Sequence, residues 1–518
     1  MYLTQCLQRG LQQTPDKLVT LCGPRRHTYR QFGERVARLA GALRVMGMGA
    51  GERVGILALN SDRYLETLMG VWWGGGVLNP VNTRWSVNEI VYALDDCDTR
   101  ILLVDDAFMD LLPAIRAQAK RAPVLIYCGD GPTPAGLFGY EQLLADFAPV
   151  EDAGRGGEDL ACIMYTGGTT GFPKGVMQSH RNLWSACMPR TLDMPPIRGG
   201  VLLHVAPLFH VAGLARALVQ FFAGECHAVV PAFEAGEVLR LIESEGITET
   251  LLVPTMITAL LAHPDFARRD LRSLKRLTYG ASPSAGTMVE QVLQAMPWLE
   301  LSHSYGLTEA CPTVSSNLPA NHTEAARKSG LSRSVGRSGY GVLVKIVDEH
   351  GQEVPCGTVG EITVRGPNVM QGYWNKPEET AKAVRNGWLY TGDGAYMDEQ
   401  GYLFIVDRLK DMIVSGGENI YSAEVENVLA RHPAVLLSAV IGVPHAQWGE
   451  AVHAVVVLKP GSSVSAEHLR AHCREHIAGY KCPKTLEFRA ELPLSAAGKV
   501  LKRELREPFW AGHTRAVN

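Results

Sequence analysis

The chain has 518 residues, too many for one compact core, so we expect several lobes. Apolar residues make up 46% and charged residues 20%, which is typical of a globular protein. A net charge of −3, without any run of lysine and arginine, argues against nucleic-acid binding. The eleven cysteines are odd in number and lack CxxC spacing, which favours reduced thiols over a disulfide framework or a zinc site.

The sequence shows no targeting or membrane signal. Its first residues, MYLTQCLQRGLQQ, lack the apolar core of a signal peptide, and no apolar run approaches the ~20 residues that cross a bilayer. The last residues, RAVN, are not a peroxisomal tripeptide. We therefore expect a cytoplasmic protein without a transmembrane segment, while the oligomeric state stays open, a homodimer included.

Helix and strand patterns alternate through the first part of the chain. Helices are predicted at 28–47, where Thr28 and Gln31 have capping-box spacing, at 64–73, and after the Ser86/Glu89 pair; strands are predicted at 53–59, 77–80 and 101–104. Residues 129–157 are rich in Gly, Pro, Ala and Asp and predict a loop. This alternation predicts a mostly parallel sheet with helices on both faces.

The chain is organised around residues 160–175, LACIMYTGGTTGFPKG. Six apolar residues are too few for a helix, so they predict a buried strand that ends before the first glycine. The loop then offers flexible backbone N–H groups, hydroxyls and one cation: Thr166, Gly167, Gly168, Thr169, Thr170, Gly171 and Lys174. A flexible surface loop is the plain alternative, but this combination favours polyphosphate binding. Phe172 and Pro173 break the Walker spacing, which argues against a P-loop enzyme.

Further short strands end in loops of small or polar residues, where open α/β sheets bind ligands. These strands are predicted at 251–254, 276–279 and 299–304, and the last two run into Gly280-Ala281-Ser282 and Tyr305-Gly306-Leu307-Thr308-Glu309. Glu309 is either a surface acid or, as its position favours, a Mg²⁺ ligand. His210 follows an apolar strand and turn, and a structural role and a place in a pocket wall are equally compatible with its surroundings.

The pattern changes after residue 335. Strands at 342–347 and 360–365 predict an antiparallel, barrel-like module. Asp393 ends another strand and has the chemistry to accept both ribose hydroxyls, with a turn-forming aspartate as the alternative. Beyond residue 419 the pattern restarts as a separate α+β lobe, which ends in a flexible loop that carries Lys499.

The ordered motifs YTGGTTGFPKG, APLFH, YGAS, YGLTE, YTGD, DRLKD, SGGEN and AAGK resemble those of the adenylate-forming superfamily, which contains acyl-CoA synthetases, adenylation domains and beetle luciferase. The resemblance spans essentially the whole chain. One position departs from the pattern, because Gly167 stands where many members have serine. This removes one hydroxyl but keeps the backbone N–H groups of the loop.

The resemblance implies a role for each matching residue. Thr166 to Lys174 would hold the β and γ phosphates; Gly280, Ala281, Ser282, Tyr305 and Gly306 would surround the adenine; Thr308 would contact phosphate and Glu309 would hold Mg²⁺; Asp393 and Arg408 would bind the ribose; Lys499 would bridge the attacking carboxylate and the nucleotide; Lys410 would be the hinge; Gly416 and Gly417 would let a pantetheine arm pass. The acyl pocket would include His210, Val211, Gly213, Gly280 and Ala310.

Together these observations predict an α/β fold with a large N-terminal domain at 1–409, built of two helix-flanked sheets and a small barrel-like β module. A smaller mobile α+β domain would cover 410–518. The expected activity is an ATP-dependent, Mg²⁺-dependent carboxylic acid:CoA ligase, with a medium- to long-chain fatty acid as substrate. Aryl or arylalkenoic acids are the alternative, and a non-CoA adenylating enzyme or an inactive nucleotide-binding protein are weaker ones. The apolar residues around His210 support a fatty or aryl acid, and the nearby Arg216 is expected to face solvent.

Overall fold

The computed structural model describes residues 1–166, 173–280, 286–495 and 498–511, without the side chains of residues 286 and 287. The strands are β1 Leu18–Cys22, β2 Arg25–Thr28, β3 Arg53–Leu57, β4 Val77–Pro80, β5 Ile101–Val104, β6 Val124–Tyr127, β7 Phe138–Gly139, β8 Leu160–Thr166, β9 Lys174–Ser179, β10 Val201–His204, β11 Cys226–Val229, β12 Glu249–Leu252, β13 Arg276–Gly280, β14 Glu300–Gly306, β15 Thr313–Asn317, β16 Arg337–Ser338, β17 Leu343–Val347, β18 Gly360–Arg365, β19 Gly372–Tyr373, β20 Val384–Arg385, β21 Trp388–Met397, β22 Leu403–Arg408, β23 Ile413–Ser415, β24 Glu418–Ile420, β25 Val435–His445, β26 Gly449–Leu458 and β27 Thr485–Phe488.

The α-helices are α1 Gln5–Gln13, α2 Tyr29–Val45, α3 Asp62–Gly74, α4 Val87–Asp96, α5 Leu112–Gln118, α6 Tyr140–Asp146, α7 His180–Cys187, α8 Arg190–Asp193, α9 Val211–Ala223, α10 Ala235–Ser244, α11 Pro254–Ala262, α12 Gly286–Ala295, α13 Glu324–Lys328, α14 Pro377–Ala383, α15 Ser422–Leu429, α16 Ala466–His476 and α17 Lys502–Trp510. Short 3₁₀ turns lie at Asp106–Leu111, Thr308–Ala310, Pro319–His322 and Leu331–Arg333.

Two large sheets form the body of the protein. The N-terminal sheet has the order β19-β9-β8-β4-β3-β5-β6-β7, with β8 through β7 parallel. The central sheet has the order β16-β15-β14-β13-β12-β10-β11-β1-β2 and is parallel from β14 to β1. Helices α2, α3, α7 and α9 contribute to the large apolar core shared by the two sheets, and α10 to α12 cover the other face of the central sheet.

Two smaller sheets follow. Strands β17, β18, β20, β21 and β22 pair antiparallel in the barrel-like sheet, which has its own apolar core. Strands β23 to β27 form the C-terminal sheet, with α15 and α16 packed against one core and α17 against another. The predicted fold class is confirmed: two helix-flanked sheets, a barrel-like β module and a smaller α+β C-terminal part.

Local sequence signals placed several elements well. The capping boxes Thr28/Gln31 and Ser86/Glu89 both form, at the starts of α2 and α4. The predicted strands at 77–80 and 101–104 match β4 and β5. These signals lie within a few residues of each other in sequence, so they do not depend on the tertiary structure.

The predicted loop at 129–157 is wrong in part, because it contains β7 and helix α6. Tyr140, Leu143 and Leu144 lie at helical spacing and are all buried in the large core. This apolar face is short, and the Gly, Pro and Asp residues on both sides of it favoured the prediction of a loop.

Over the described part of the chain, no helix is long and apolar enough to cross a membrane.

Candidate active site

The candidate site lies where the carboxyl ends of β8, β13 and β14 meet the barrel-like sheet and the loop before α17. Gly280 ends β13 and is paired in register with Ser304 of β14. β14 continues through Tyr305 and Gly306, two residues further than the sequence predicts. The parallel strands of one sheet thus present their ends, and the loops that follow, at one edge.

Asp393 is the buried centre of a polar cluster. Its Oδ2 accepts a hydrogen bond of 2.7 Å from the Tyr305 hydroxyl, and its Oδ1 lies 3.2 Å from Nε of Arg408. Strands β21 and β22 place Asp393 directly opposite Arg408 in the ladder. The neighbouring Asp393 carboxylate raises the pKa of Arg408, so this guanidinium stays charged. The acid and the cation of one strand pair therefore meet an aromatic residue that is 88 residues away in sequence.

A second cluster surrounds Glu309. Its Oε1 accepts a hydrogen bond of 2.8 Å from the Tyr373 hydroxyl. Nζ of Lys174 lies 5.0 Å from the centroid of the Tyr373 ring and donates to Glu379 at 2.7 Å. Thr166 pairs with Lys174 across β8 and β9, so the two described ends of the glycine-rich loop lie beside this cluster. Tyr373 is a site residue that the sequence motifs did not indicate.

Lys499 is a half-buried cation, and among the described residues no carboxylate lies within ion-pair distance of its ammonium. Its loop is held by hydrogen bonds from Ser495 N to the Lys499 carbonyl at 2.7 Å and from Arg84 to the carbonyls of Leu494 and Ser495. Burial, and then the Arg408 guanidinium, lower the pKa of the Lys499 ammonium to about 8, although Asp393 and Glu309 act in the opposite direction. Lys499 thus faces both clusters with an ammonium free to meet an anion.

His210 is the N-cap of α9. Its Nδ1 accepts a weak hydrogen bond of 3.4 Å from the Ala212 backbone N–H, which gives the ring a structural role. Burial, together with the charge of Lys499, lowers the pKa of the imidazole to about 3, so the ring is neutral at pH 7. The same residue therefore caps a helix and lies near Lys499, and the two interpretations of the sequence are compatible.

The small residues of the site have identifiable packing reasons. A Cβ on Gly280, whose φ is +158°, would collide with the carbonyl of Ser304, and a Cβ on Gly306 with the carbonyl of Pro312. Gly213 is similar, because a side chain there would meet the Pro207 carbonyl. A Gly213→Leu substitution would displace this turn, so the substrate preference of that variant would not report the size of the acyl pocket.

Other predicted residues have the following places. Val211, Thr308 and Ala310 are buried. The carbonyl oxygen of Thr308 accepts a hydrogen bond from the side-chain amide of Gln178. That of Ala310 accepts one from the side-chain amide of Asn368. Lys410 follows β22, and burial lowers its pKa. Gly416 and Gly417 have φ of +61° and +85° in the β23–β24 hairpin. The predicted residues Gly167, Gly168, Thr169, Thr170, Gly171, Ala281 and Ser282 lie outside the described residues.

Two arginines near the site are buried, although the sequence predicted burial for neither of them. The sequence predicted that Arg216 faces solvent, and this prediction is wrong. Arg216 is 8% exposed, and its Nη2 donates a hydrogen bond of 3.2 Å to Glu249. Burial is possible because Glu249, on the neighbouring strand β12, supplies a carboxylate. Arg190 was not singled out by any motif, and it is 6% exposed in helix α8. No local pattern in the sequence indicates that Arg190 or Arg216 is buried.

Comparison with known proteins agrees with this arrangement. The family described as AMP-binding enzyme matches residues 7–374, and the family described as AMP-binding enzyme C-terminal domain matches residues 424–499. A feruloyl-CoA synthase of Amycolatopsis sp is 39% identical over 97% of this chain and 98% of that protein. A long-chain-fatty-acid–CoA ligase of Thermus thermophilus is 36% identical over 93% of this chain and 90% of that protein.

Among solved structures, ATP-bound MatB from Rhodopseudomonas palustris superimposes with a TM-score of 0.89 at 30% identity, covering 99% of this chain and 100% of that chain. Sequence families, relatives and structure thus agree over nearly the full length. The chain therefore belongs to the AMP-binding enzyme family of adenylate-forming acyl-CoA synthetases, and it is an AMP-forming acid–thiol ligase.

Proposed function

We propose that this ligase joins a carboxylic acid to coenzyme A in two half-reactions at the site described above. In the first, a carboxylate oxygen attacks the α-phosphorus of ATP, and pyrophosphate leaves. In the second, the thiol sulfur of CoA attacks the acyl carbon, AMP leaves, and the thiol proton passes to solvent. The single observation that carries the proposal is the half-buried Lys499 ammonium near Arg408, Asp393 and Glu309, which has no carboxylate within ion-pair distance in the part of the chain that the structure describes.

The first half-reaction brings two anions together, so the site needs positive charge where they meet. Lys499 supplies it from the C-terminal part, and Lys174, with Thr166 and the glycine-rich loop, supplies it for the β and γ phosphates. Thr308 would contact phosphate. Asp393, oriented by Tyr305 and Arg408, would accept the ribose hydroxyls. Residues 280–282, Tyr305 and Gly306 would enclose the adenine.

The residues around Glu309 fit a Mg²⁺ ion. Mg²⁺ is usually bound by one or two carboxylates together with substrate phosphates, and Glu309 offers one carboxylate beside the phosphate loop. The Tyr373 hydroxyl bonds to Oε1 and fixes the direction of the carboxylate, as second partners of metal ligands do. The bound ion would neutralise charge on the phosphates. Among the described residues, His472, Glu475 and His476 are close enough together to hold a metal ion, but they lie on α16 and not beside Glu309.

The C-terminal part would act as a lid. A lysine fixed against the nucleotide would hinder the later thiol attack, so a rotation of residues 410–518 about Lys410 would remove it. Gly416 and Gly417, in their positive-φ hairpin, would then let the pantetheine arm pass. The acid itself would lie beside His210, Val211, Gly213, Gly280 and Ala310, with fatty and aryl acids both compatible with the names of the relatives.

The test separates the two half-reactions with Lys499→Ala. Loss of a charge that acts only in adenylation should lower pyrophosphate release by about 10²–10³-fold, the range for removal of one stabilising group. Supplied with synthetic acyl-adenylate and CoA, the variant should still form acyl-CoA at nearly the parent rate. Equal loss of both half-reactions would contradict the assigned role, and no acyl-CoA from the parent enzyme with any acid would refute the ligase proposal.

A further inference from the structure

Four histidines lie together in the C-terminal part, where α16 packs against the end of α15. His468, His472 and His476 are four residues apart on α16, so they follow one stripe of the helix. The ring of His432, which comes after α15, has its centroid 5.4 Å from that of His468 and 5.2 Å from that of His472. The rings of His472 and His476 are 4.5 Å apart. The adenylation and thioester steps use none of these imidazoles.

The spacing of three residues in this region suits a metal ion. His472, Glu475 and His476 occupy positions i, i+3 and i+4 of α16, which lie on the same side of a helix. One ligand-type atom from each residue lies within 4.8 Å of those of the other two. The stretch HCREH also has the H-x-x-E-H spacing, in which two histidines one helical turn apart hold zinc.

Backbone carbonyls fix the proton positions of both imidazoles. Nε2 of His472 donates to the Val428 carbonyl at 3.1 Å, and Nδ1 of His476 donates to the His472 carbonyl at 2.8 Å. A carbonyl oxygen can only accept, so the neutral rings keep their lone pairs on Nδ1 of His472 and Nε2 of His476. Ligand histidines of metal sites are usually oriented by such a hydrogen bond from the other ring nitrogen.

Two neighbouring side chains have no lone pair to offer. Nδ1 of His432 accepts a hydrogen bond of 3.2 Å from the Ala434 backbone N–H, so the proton of the neutral ring is on Nε2. Cys473 follows His472 directly, but its side chain is buried in the core between α15 and α16. Burial raises the pKa of this thiol to about 12, so it stays protonated. The ligand set is therefore two imidazoles and one carboxylate.

The C-terminal sheet separates these residues from the candidate active site. Val452 and Val456 of β26 pack in one core with α15 and α16. Val455 points to the opposite face of the sheet and packs with α17 and Val500. Since Lys499 directly precedes Val500, its loop is on the α17 side. A change at the histidines should thus leave the active site intact.

We propose that His472, Glu475 and His476 form a metal site, distinct from the Glu309 site, that binds a divalent ion of the zinc class. Imidazole suits zinc, copper and nickel, whereas Mg²⁺ prefers oxygen ligands, so Mg²⁺ does not compete for this site. Glu475 and His476 are exposed, and three protein ligands leave a fourth tetrahedral position open to water or an external ligand. The ion joins residues of the last turn of α16 and holds that turn together.

Isothermal titration calorimetry with ZnCl₂ tests the site, on the full chain without an affinity tag and with Mg²⁺ in excess. All proteins carry Cys356→Ser, because Cys356 is the exposed thiol among the described cysteines. We expect one Zn²⁺ per chain. His476→Ala removes a ligand and should weaken Zn²⁺ binding by at least about tenfold, since even loss of a partner of a ligand costs about 10–100-fold. Glu475→Gln removes the charge of an exposed side chain at constant size, and it should weaken binding as well.

His468→Ala is the matched control, because it removes an imidazole from the same stripe of α16 but none of the three ligands; its Zn²⁺ affinity should equal that of the parent. Pyrophosphate release at the parent rate shows that the α16 variants are folded. Absence of Zn²⁺ binding by the parent overturns the site, as does parent-like binding by both His476→Ala and Glu475→Gln. Loss of Zn²⁺ binding in Glu309→Gln instead would place the ion at the other site and also overturn the proposal.

Discussion

At the scale of single residues, Glu309 and Tyr373, which are hydrogen-bonded to each other, allow two separate predictions. Glu309→Gln removes the carboxylate that we propose as the Mg²⁺ ligand, and we expect pyrophosphate release to fall by at least about a hundredfold with every acid tested. Tyr373→Phe keeps the carboxylate and loses only its orienting hydroxyl, so the apparent Mg²⁺ affinity should weaken by about 10–100-fold. Titration of activity against Mg²⁺ checks both. Near-normal activity of Glu309→Gln at ordinary Mg²⁺ would contradict the metal assignment.

Lys499 predicts the pH dependence of the first half-reaction. Its ammonium has a pKa lowered to about 8, so it is charged below that pH and loses its charge above it. Since kcat/KM reports the free enzyme, pyrophosphate release measured as kcat/KM should fall about tenfold per unit above roughly pH 8. The residual activity of Lys499→Ala should lack this decline. A parent profile that stays flat to pH 10 would show that the charge of Lys499 does not limit adenylation.

At the scale of elements, His210 caps the N-terminus of α9 and is also the proposed wall of the acyl pocket. His210→Ala removes the N-cap and should cost about 0.5–2 kcal/mol of unfolding free energy, measured by denaturant titration. His210→Asn keeps a capping side chain, and should restore most of this stability. If the ring also forms the pocket wall, both variants should raise the KM for the acid while the KM for ATP stays unchanged. Parent-like KM values in His210→Asn would leave the residue with its capping role alone.

The turn after β14 shows why some elements admit no variation. Gly306 has the Pro312 carbonyl where a side chain would stand, and its neighbour Tyr305 bonds to Asp393. The strand end therefore fixes the tyrosine hydroxyl by backbone packing. The same argument applies to Gly280, whose φ of +158° and contact with the Ser304 carbonyl explain glycine there without reference to a ligand.

At the scale of the whole molecule, the C-terminal part meets the body across a seam with open space. A cavity of about 370 Å³ lies between the body and the loop before Lys499, lined among others by Arg84, Phe209, Thr255, Ser495 and Gly498. Asp407 of β22 accepts a hydrogen bond from Ser422 Oγ of α15 at 2.6 Å, which ties the two parts beside the proposed hinge. The hydrogen bonds that Arg84 donates to the loop before Lys499 come from the loop after β4, and the proposed rotation of the C-terminal part would break them.

Lys410→Pro tests that movement. Proline fixes φ near −65° and hinders rotation at the hinge, so adenylation should be largely kept and thioester formation lost. This is the opposite of the pattern expected for Lys499→Ala, and the same two assays measure it. Lys410→Ala is the control, because it removes the side chain but leaves φ free; it should form thioester faster than the proline variant. Equal thioester rates in the two variants would argue against a hinge at this position.

The sequence by itself determined the family and the α/β fold class. Motifs such as YTGGTTGFPKG, YGLTE and YTGD are continuous stretches, and their loop chemistry depends on neighbours a few residues away. For the same reason the capping boxes and several strand boundaries were predictable. Family membership followed because eight such stretches occur in order.

Only the tertiary structure decided which distant groups are in contact. Arg190 meets Ser304 across 114 residues of chain, Tyr305 meets Asp393 across 88, and Tyr373 meets Glu309 across 64. Burial turned Arg216 from an expected surface charge into a partner of Glu249. Such outcomes depend on the packing of segments remote in sequence, because desolvation and the choice of partner are properties of the folded core and not of any local pattern.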